Sequence, residues 1–300
     1  MLQWRGNAMT TCAMLAVAIT GCAPVGPVAL GPAGAGPARP APMGALPAPP
    51  RARLASAIRP DRSVPTGGHP YFHTLPPGAK LPSGSQCARW VRARSIRENK
   101  RMNRRYNRTT GQHVGRHFFR GDKPQAQRLL APRITGDFTG TTQQILRWAA
   151  CKWGIDQNIV YAQAAVESWW RQTTKGDWHA SGCPPGHGPG VDGRPGLCPQ
   201  SWGILQNRYP YEKSSWPGIE RSTAMNADAA YAIWRACFDG YETWLATVRH
   251  VGRYRAGKAW ACVGRWFAGR WQTPPAERYI ATVRKYLRER IWTKSYFQEP

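Results

Sequence analysis

The chain has 300 residues and a formal charge of +26, from 42 Lys and Arg against 16 Asp and Glu. That length allows two domains, but 15 of the 27 prolines lie between Pro24 and Pro82, where little can pack, so one globular domain is expected. An apolar content of 42%, with 13 of the 15 tryptophans after Asp137, excludes a disordered polyelectrolyte, while 33 arginines point to polyanionic surroundings: nucleic acid, anionic lipid or an acidic wall polymer.

Residues 1–21 hold one charged group, Arg5, then an apolar run from Ala13 to Ile19, too short to span a bilayer and suited to a signal peptide. Ile19-Thr20-Gly21 before Cys22 resembles a bacterial lipobox, so lipidation at Cys22 and a membrane anchor are expected for an exported protein. Residues 22–84 read as a Pro/Ala/Gly tether of net +5. Residues 85–135 read as a partly ordered basic arm, with a helix-compatible start at Cys87, and residues 136–300 as the folded domain.

Six cysteines remain beyond Cys12 and Cys22: Cys87, Cys151, Cys183, Cys198, Cys237 and Cys262. In an exported chain an even number reads as disulfides. Fifteen pairings are possible. Proximity favours Cys183 with Cys198 and Cys237 with Cys262, leaving Cys87 for Cys151. A zinc site from His179, Cys183, His187 and Cys198 lacks the paired short ligand spacing of structural zinc modules, so no metal or other cofactor is expected.

Thr141-Thr142 opens an apolar-periodic helix that Gly154 closes, and Asp156 caps a second one leading into Glu167-Ser168. A Gly/Pro loop follows from Thr173 to Pro199. Asn226 or a nearby Ser or Thr starts a helix to Gly240; Tyr241 to Val251 and Lys258 to Phe267 read as two more. Thr273-Pro274 starts a last helix running to Ile291. No clear alternating strand is visible, so the expected fold class is mainly α.

Glu167 ends an otherwise apolar helix, where desolvation raises a carboxyl pKa and suits it to act as a general acid. Gly154-Ile155-Asp156, Val160, Glu167-Ser168 and the later Gly203-Ile204-Leu205-Gln206 together resemble the lytic transglycosylases related to goose-type lysozyme, over roughly Gly136 to Leu287. In that family a helix delivers the glutamate of a Glu-Ser pair, and a Gly-Leu-Met-Gln-like turn lines the cleft beside it. Asn226 then falls at the family's following Asn-led helix, and Trp266-Phe267-Ala268-Gly269 where Tyr-Asn-Ala-Gly is usual. Arg171-Gln172 replaces the usual Asn-Pro, and Glu167 lies 36 residues before Gly203, a longer gap than usual. Tyr209 or Tyr241 are the candidates to supply the missing tyrosine.

The resemblance implies a lysozyme-like helical domain that cleaves the β-1,4 bond between N-acetylmuramic acid and N-acetylglucosamine in peptidoglycan. Glu167 is then the catalytic acid and base, with Ser168, Trp170, Trp202, Gly203, Ile204, Gln206, Asn226 and Trp266 at the substrate. Gln206 fits an acetamido contact or a turn-stabilising role. A muramidase is the alternative, needing a second carboxylate from Asp177 or Asp192. Trp178 is a further cleft candidate, whereas Trp148, Trp153, Trp234 and Trp244 sit at core positions. A non-catalytic binder of anionic wall polymer is the reading from a different class. No nucleic-acid module is recognisable in the basic arm, so the expected partners are glycan strands and the membrane, with the protein a monomer.

Overall fold

The computed structural model describes residues 70–114, 117–119, 121, 123–247 and 253–299, all within one compact unit, Ser63–Pro300. The expected signal peptide, the Cys22 lipidation site and residues 22–69 of the tether lie outside the described residues.

Helices dominate, and their starts follow from short polar side chains. Ser83 caps α1 (Gly84–Arg92) in a capping box with Gln86. Two short helices follow, α2 (Arg104–Asn107) and α3 (Pro124–Leu129). Thr141 caps α4 (Thr142–Trp153) in a second capping box with Gln144, and Gly154 ends it at φ 60°. Asp156 caps α5 (Gln157–Ser168) by accepting from the Asn158 amide at 2.7 Å.

The long loop after α5 holds a small antiparallel sheet, β1 (Lys175–His179), β2 (Cys198–Trp202) and β3 (Asn207–Arg208), in the order β1-β2-β3. This corrects the expectation of no strands. Lys-Gly-Asp-Trp-His and Cys-Pro-Gln-Ser-Trp carry no apolar alternation, because β2 is buried along its whole length and β1 is mostly open.

The remaining helices are α6 (Gly218–Arg221), α7 (Thr223–Phe238), α8 (Ala259–Ala268) and α9 (Pro274–Glu289). Ser222 caps α7, so Asn226 lies inside the helix rather than at its start. The helix expected over Tyr241 to Val251 is a single 3-10 turn, Thr243–Ala246, with 248–252 outside the described residues. Among the described residues no helix is long and apolar enough to cross a membrane.

Every residue of α7 is buried, so this helix forms the middle of the core, with α4 packed along it. Its two buried charged side chains, Asp228 and Arg235, are paired. Asp228 accepts from Lys152 Nζ at 2.6 Å, from the Thr135 and Gly136 amides at 2.8 Å each, and from Trp153 Nε1 at 2.7 Å. Arg235 donates to Asp239 and to the carbonyls of Leu75 and Pro76.

That last contact changes the expected organisation. The tether was expected to reach residue 84, but Phe72 is buried, Leu75 N donates to Gly154 O, and Gly78 N donates to Asp239. Packed chain therefore begins by Phe72. The basic arm is corrected too: Phe118, Phe119, Ala126, Leu130, Ala131 and Ile134 all join the core, and Asn103 and Asn107 donate to the Thr142 hydroxyl. The apolar residues sit at irregular intervals because short turns, not one long helix, carry them inward. Three disulfides pair Cys183 with Cys198 and Cys237 with Cys262, as proximity suggests, and the remaining Cys87 with Cys151. The last ties α1 to α4, so the arm is fixed to the helical core at its start.

Candidate functional site

Glu167 is the penultimate residue of α5 and is half-buried on the wall of an open cleft of about 870 Å³. The Tyr279 hydroxyl, from α9, donates to its Oε1. Burial pushes the Glu167 pKa from its ordinary 4.5 up to about 8. The Tyr279 hydrogen bond and the Trp266 side chain pull it down, and the nearby Asp177 charge pushes it further up. With its pKa raised to about 8, the group facing this open groove is a carboxylic acid at neutral pH, which can give a proton to a bound group and take one back.

Close contact between α8 and α9 brings its neighbours into place. A Cβ at Gly264 would lie 2.8 Å from Ile280 Cδ1 and 3.0 Å from Ala276 Cβ, so only glycine allows this approach. Phe267 then stacks on Tyr279 with ring centroids 4.8 Å apart, and Trp266 and Phe267 both line the cleft.

The turn at 203–206 is held by the end of α5, by Gln172 just beyond it and by α7. Ser168 Oγ donates to Ile204 O at 2.8 Å, Gln172 Oε1 accepts from Ile204 N at 3.1 Å, and Asn226 Oδ1 accepts from Leu205 N at 2.9 Å. Asn226 Nδ2 also donates to the Trp202 and Ile219 carbonyls. Gly203 has φ +80° and passes so close to Asn226 that a Cβ there would lie 2.3 Å from Nδ2. Gln206, at φ 53°, donates to the carbonyls of Gly203 and Thr174 and lines the cleft opposite Gly176.

Several expected contacts are thereby corrected. Ser168, Ile204 and Asn226 are buried and spend their polar groups on the turn, so they shape the cleft and do not line it. Trp170 is fully buried, with its indole N–H donated to Tyr161 O. Trp202 is buried beneath Lys175 and packs on His187 and Trp216. Trp178 faces Arg194 away from the lining. Trp244, expected in the core, lines the cleft. Trp148, Trp153 and Trp234 are buried, as expected.

Of the two candidate second carboxylates, Asp192 is held by Lys175 at 2.6 Å and His187 at 3.0 Å and lies outside the cleft. Asp177 does line it, at φ 48° on β1, where Ser201 Oγ donates to it and Arg208 Nε stands 3.8 Å away. Cys183 and Cys198 are joined to each other, which removes both thiolates from the zinc reading. Tyr209 packs on Trp216 and Tyr241 on the core; the tyrosine at the carboxyl is Tyr279. Sequence reasoning missed it because Tyr279 reads as one more member of the α9 apolar stripe. It missed Phe118 and Phe119 in the cleft wall because they belong to the segment read as a basic arm, and Arg208 because it falls in no element or motif of the sequence reading.

Compared with protein-family models, with curated proteins and with solved structures, the chain matches none.

Proposed function

We propose that the protein is an exported peptidoglycan-cleaving lytic transglycosylase with a lysozyme-like helical domain, anchored through Cys22 and acting as a monomer. The observation that carries the reading is the Glu167 carboxyl on the wall of a cleft of about 870 Å³, hydrogen-bonded by Tyr279 and desolvated so that its pKa rises to about 8. Glu167 gives its proton to the glycosidic oxygen as the bond from C1 of N-acetylmuramic acid breaks. The C6 hydroxyl oxygen of the same sugar then bonds to C1, and its proton passes to the Glu167 carboxylate, which restores the acid and leaves a 1,6-anhydro ring. One carboxyl suffices because the nucleophile belongs to the substrate and is held near C1 by the ring. Aromatic faces at Trp266, Phe267 and Trp244 offer stacking surfaces for pyranose rings. The excess positive charge favours attraction to anionic wall polymer.

The Asp177 carboxylate in the same cleft supports a second reading, a muramidase in which Asp177 activates water. Mass spectrometry of digested peptidoglycan separates the two. Sugars ending in 1,6-anhydromuramic acid are the expected product; reducing ends would assign the hydrolase, and an unaltered polymer would leave only a binder.

Tyr279 is a positioning residue in this scheme. Its hydroxyl stabilises the Glu167 carboxylate, so Tyr279→Phe removes a pull on the pKa in the downward direction while keeping the stack on Phe267. The alkaline limb of kcat/KM, where the acid loses its proton, is expected to move up by roughly one pH unit. A limb that stays in place in the folded variant would show that the hydrogen bond does not tune Glu167.

A further inference from the structure

A second cavity, of about 520 Å³, opens beside the start of α5 and shares no lining residue with the cleft. Glu167 sits nine residues beyond Asn158, about 14 Å along the helix axis. Three guanidinium groups line this cavity: Arg94, Arg147 from α4 and Arg290 at the end of α9. No carboxylate does.

Arg147 is the unusual member. It is 6% exposed and its Nε has no hydrogen-bond partner. Among the described residues no acid pairs with it; its charge rests against the face of Phe72, 4.2 Å from the ring centroid. Burial pushes its pKa below the ordinary range, with Tyr161 opposing and Arg94 adding to the effect. A buried cation without a counter-charge is costly to maintain and is relieved by an anion bound beside it.

The N-terminal turn of α5 adds to the positive potential through Gln157 and Asn158. Asp156, the carboxylate on that turn, is taken up by the Asn158 amide and stands 3.8 Å from His73; it does not line the cavity. Tyr161 and Trp292 supply an aromatic wall.

We propose that this cavity binds a phosphate ester, its phosphate held by Arg94, Arg147 and Arg290 and its organic part against Tyr161 and Trp292. Three guanidinium forks suit a tetrahedral dianion, whose oxygens can accept from all of them, better than a carboxylate with one charge and two oxygens. The space exceeds that of inorganic phosphate alone, which leaves room for the ester group.

Thermal unfolding of the purified full-length protein, titrated with glycerol 3-phosphate, inorganic phosphate or acetate at constant ionic strength, tests the site. A saturable rise in Tm is expected with both phosphates, tighter for the ester, and none with acetate. Arg147→Met, which keeps the packing on Phe72, is expected to abolish the response. The double variant Arg94→Gln and Arg290→Gln, at two exposed positions, is expected to weaken apparent affinity at least tenfold, whereas Lys285→Gln, an exposed charge outside the cavity, leaves it unchanged. If Arg147→Met does not fold, the exposed pair carries the test. Absence of saturable binding, or an equal response in the double variant, overturns the site. Acetate binding as tight as phosphate overturns the phosphate assignment, and inorganic phosphate binding as tight as glycerol 3-phosphate overturns the ester. None of these outcomes touches the reading of the cleft, which is judged by its sugar products.

Discussion

Replacing Glu167 by Gln is expected to lower the rate of glycan-strand cleavage by a factor on the order of 10³, because the amide can neither give the proton to the leaving oxygen nor accept one from the C6 hydroxyl. The measurement is release of soluble muropeptides by the purified variant, and full activity would remove Glu167 from the mechanism. A stability readout separates this from misfolding. Below pH 4.5 the carboxyl is protonated in folded and unfolded chains alike, and the neutral Gln matches it. Between 4.5 and about 8 the unfolded chain releases a proton that the folded protein retains, so rising pH costs the wild type stability. Above that window the penalty is constant. Allowing for partial exposure, Glu167→Gln is expected to gain about 2–4 kcal/mol at pH 9 and close to nothing at pH 4. In a domain of this size that is a Tm rise on the order of 5–10 °C at the higher pH. A variant that is inactive and more stable is the signature of a carboxyl kept in place for function at a cost in stability.

Asp228→Ala is expected to cost roughly 3–5 kcal/mol of folding stability, the largest single loss anticipated in the core. The carboxylate receives four hydrogen bonds, from Lys152, two backbone amides and an indole. Its removal leaves the Lys152 ammonium, itself 2% exposed, without its counter-charge, and three N–H groups without an acceptor. Burial already pushes the Lys152 pKa down, with Asp228 opposing, so the unpartnered lysine is expected to lose its proton in the variant. Urea unfolding should show a lower midpoint at unchanged slope. The double variant Lys152→Met with Asp228→Asn removes both charges and should lose less than Asp228→Ala alone. A loss below about 1 kcal/mol for Asp228→Ala would mean that the network is not a main support of the fold.

The helical class, the helix starts at Thr141, Asp156 and Thr273, and the pairings of Cys183 with Cys198 and Cys237 with Cys262 were legible in the sequence, because a cap, a period and a short cysteine spacing are local signals; Cys87 with Cys151, 64 residues apart, followed only as the remaining pair. The singular character of Glu167 was legible for the same reason, since its apolar neighbours are its sequence neighbours. Tertiary structure decided everything that depends on segments meeting. It placed Tyr279, 112 residues away, on the carboxyl and turned Trp170 and Asn226 inward. It set Asp177 in the cleft and Asp192 outside it, two aspartates that look alike in one Gly-rich loop. It also drew Phe118 and Phe119 out of a basic stretch into the core and gathered three arginines from separate elements around one cavity. Local sequence determines backbone conformation and the chemical type of each side chain. Which long-range neighbours desolvate or pair with that side chain, and so set its charge and reactivity, is fixed only when the chain packs.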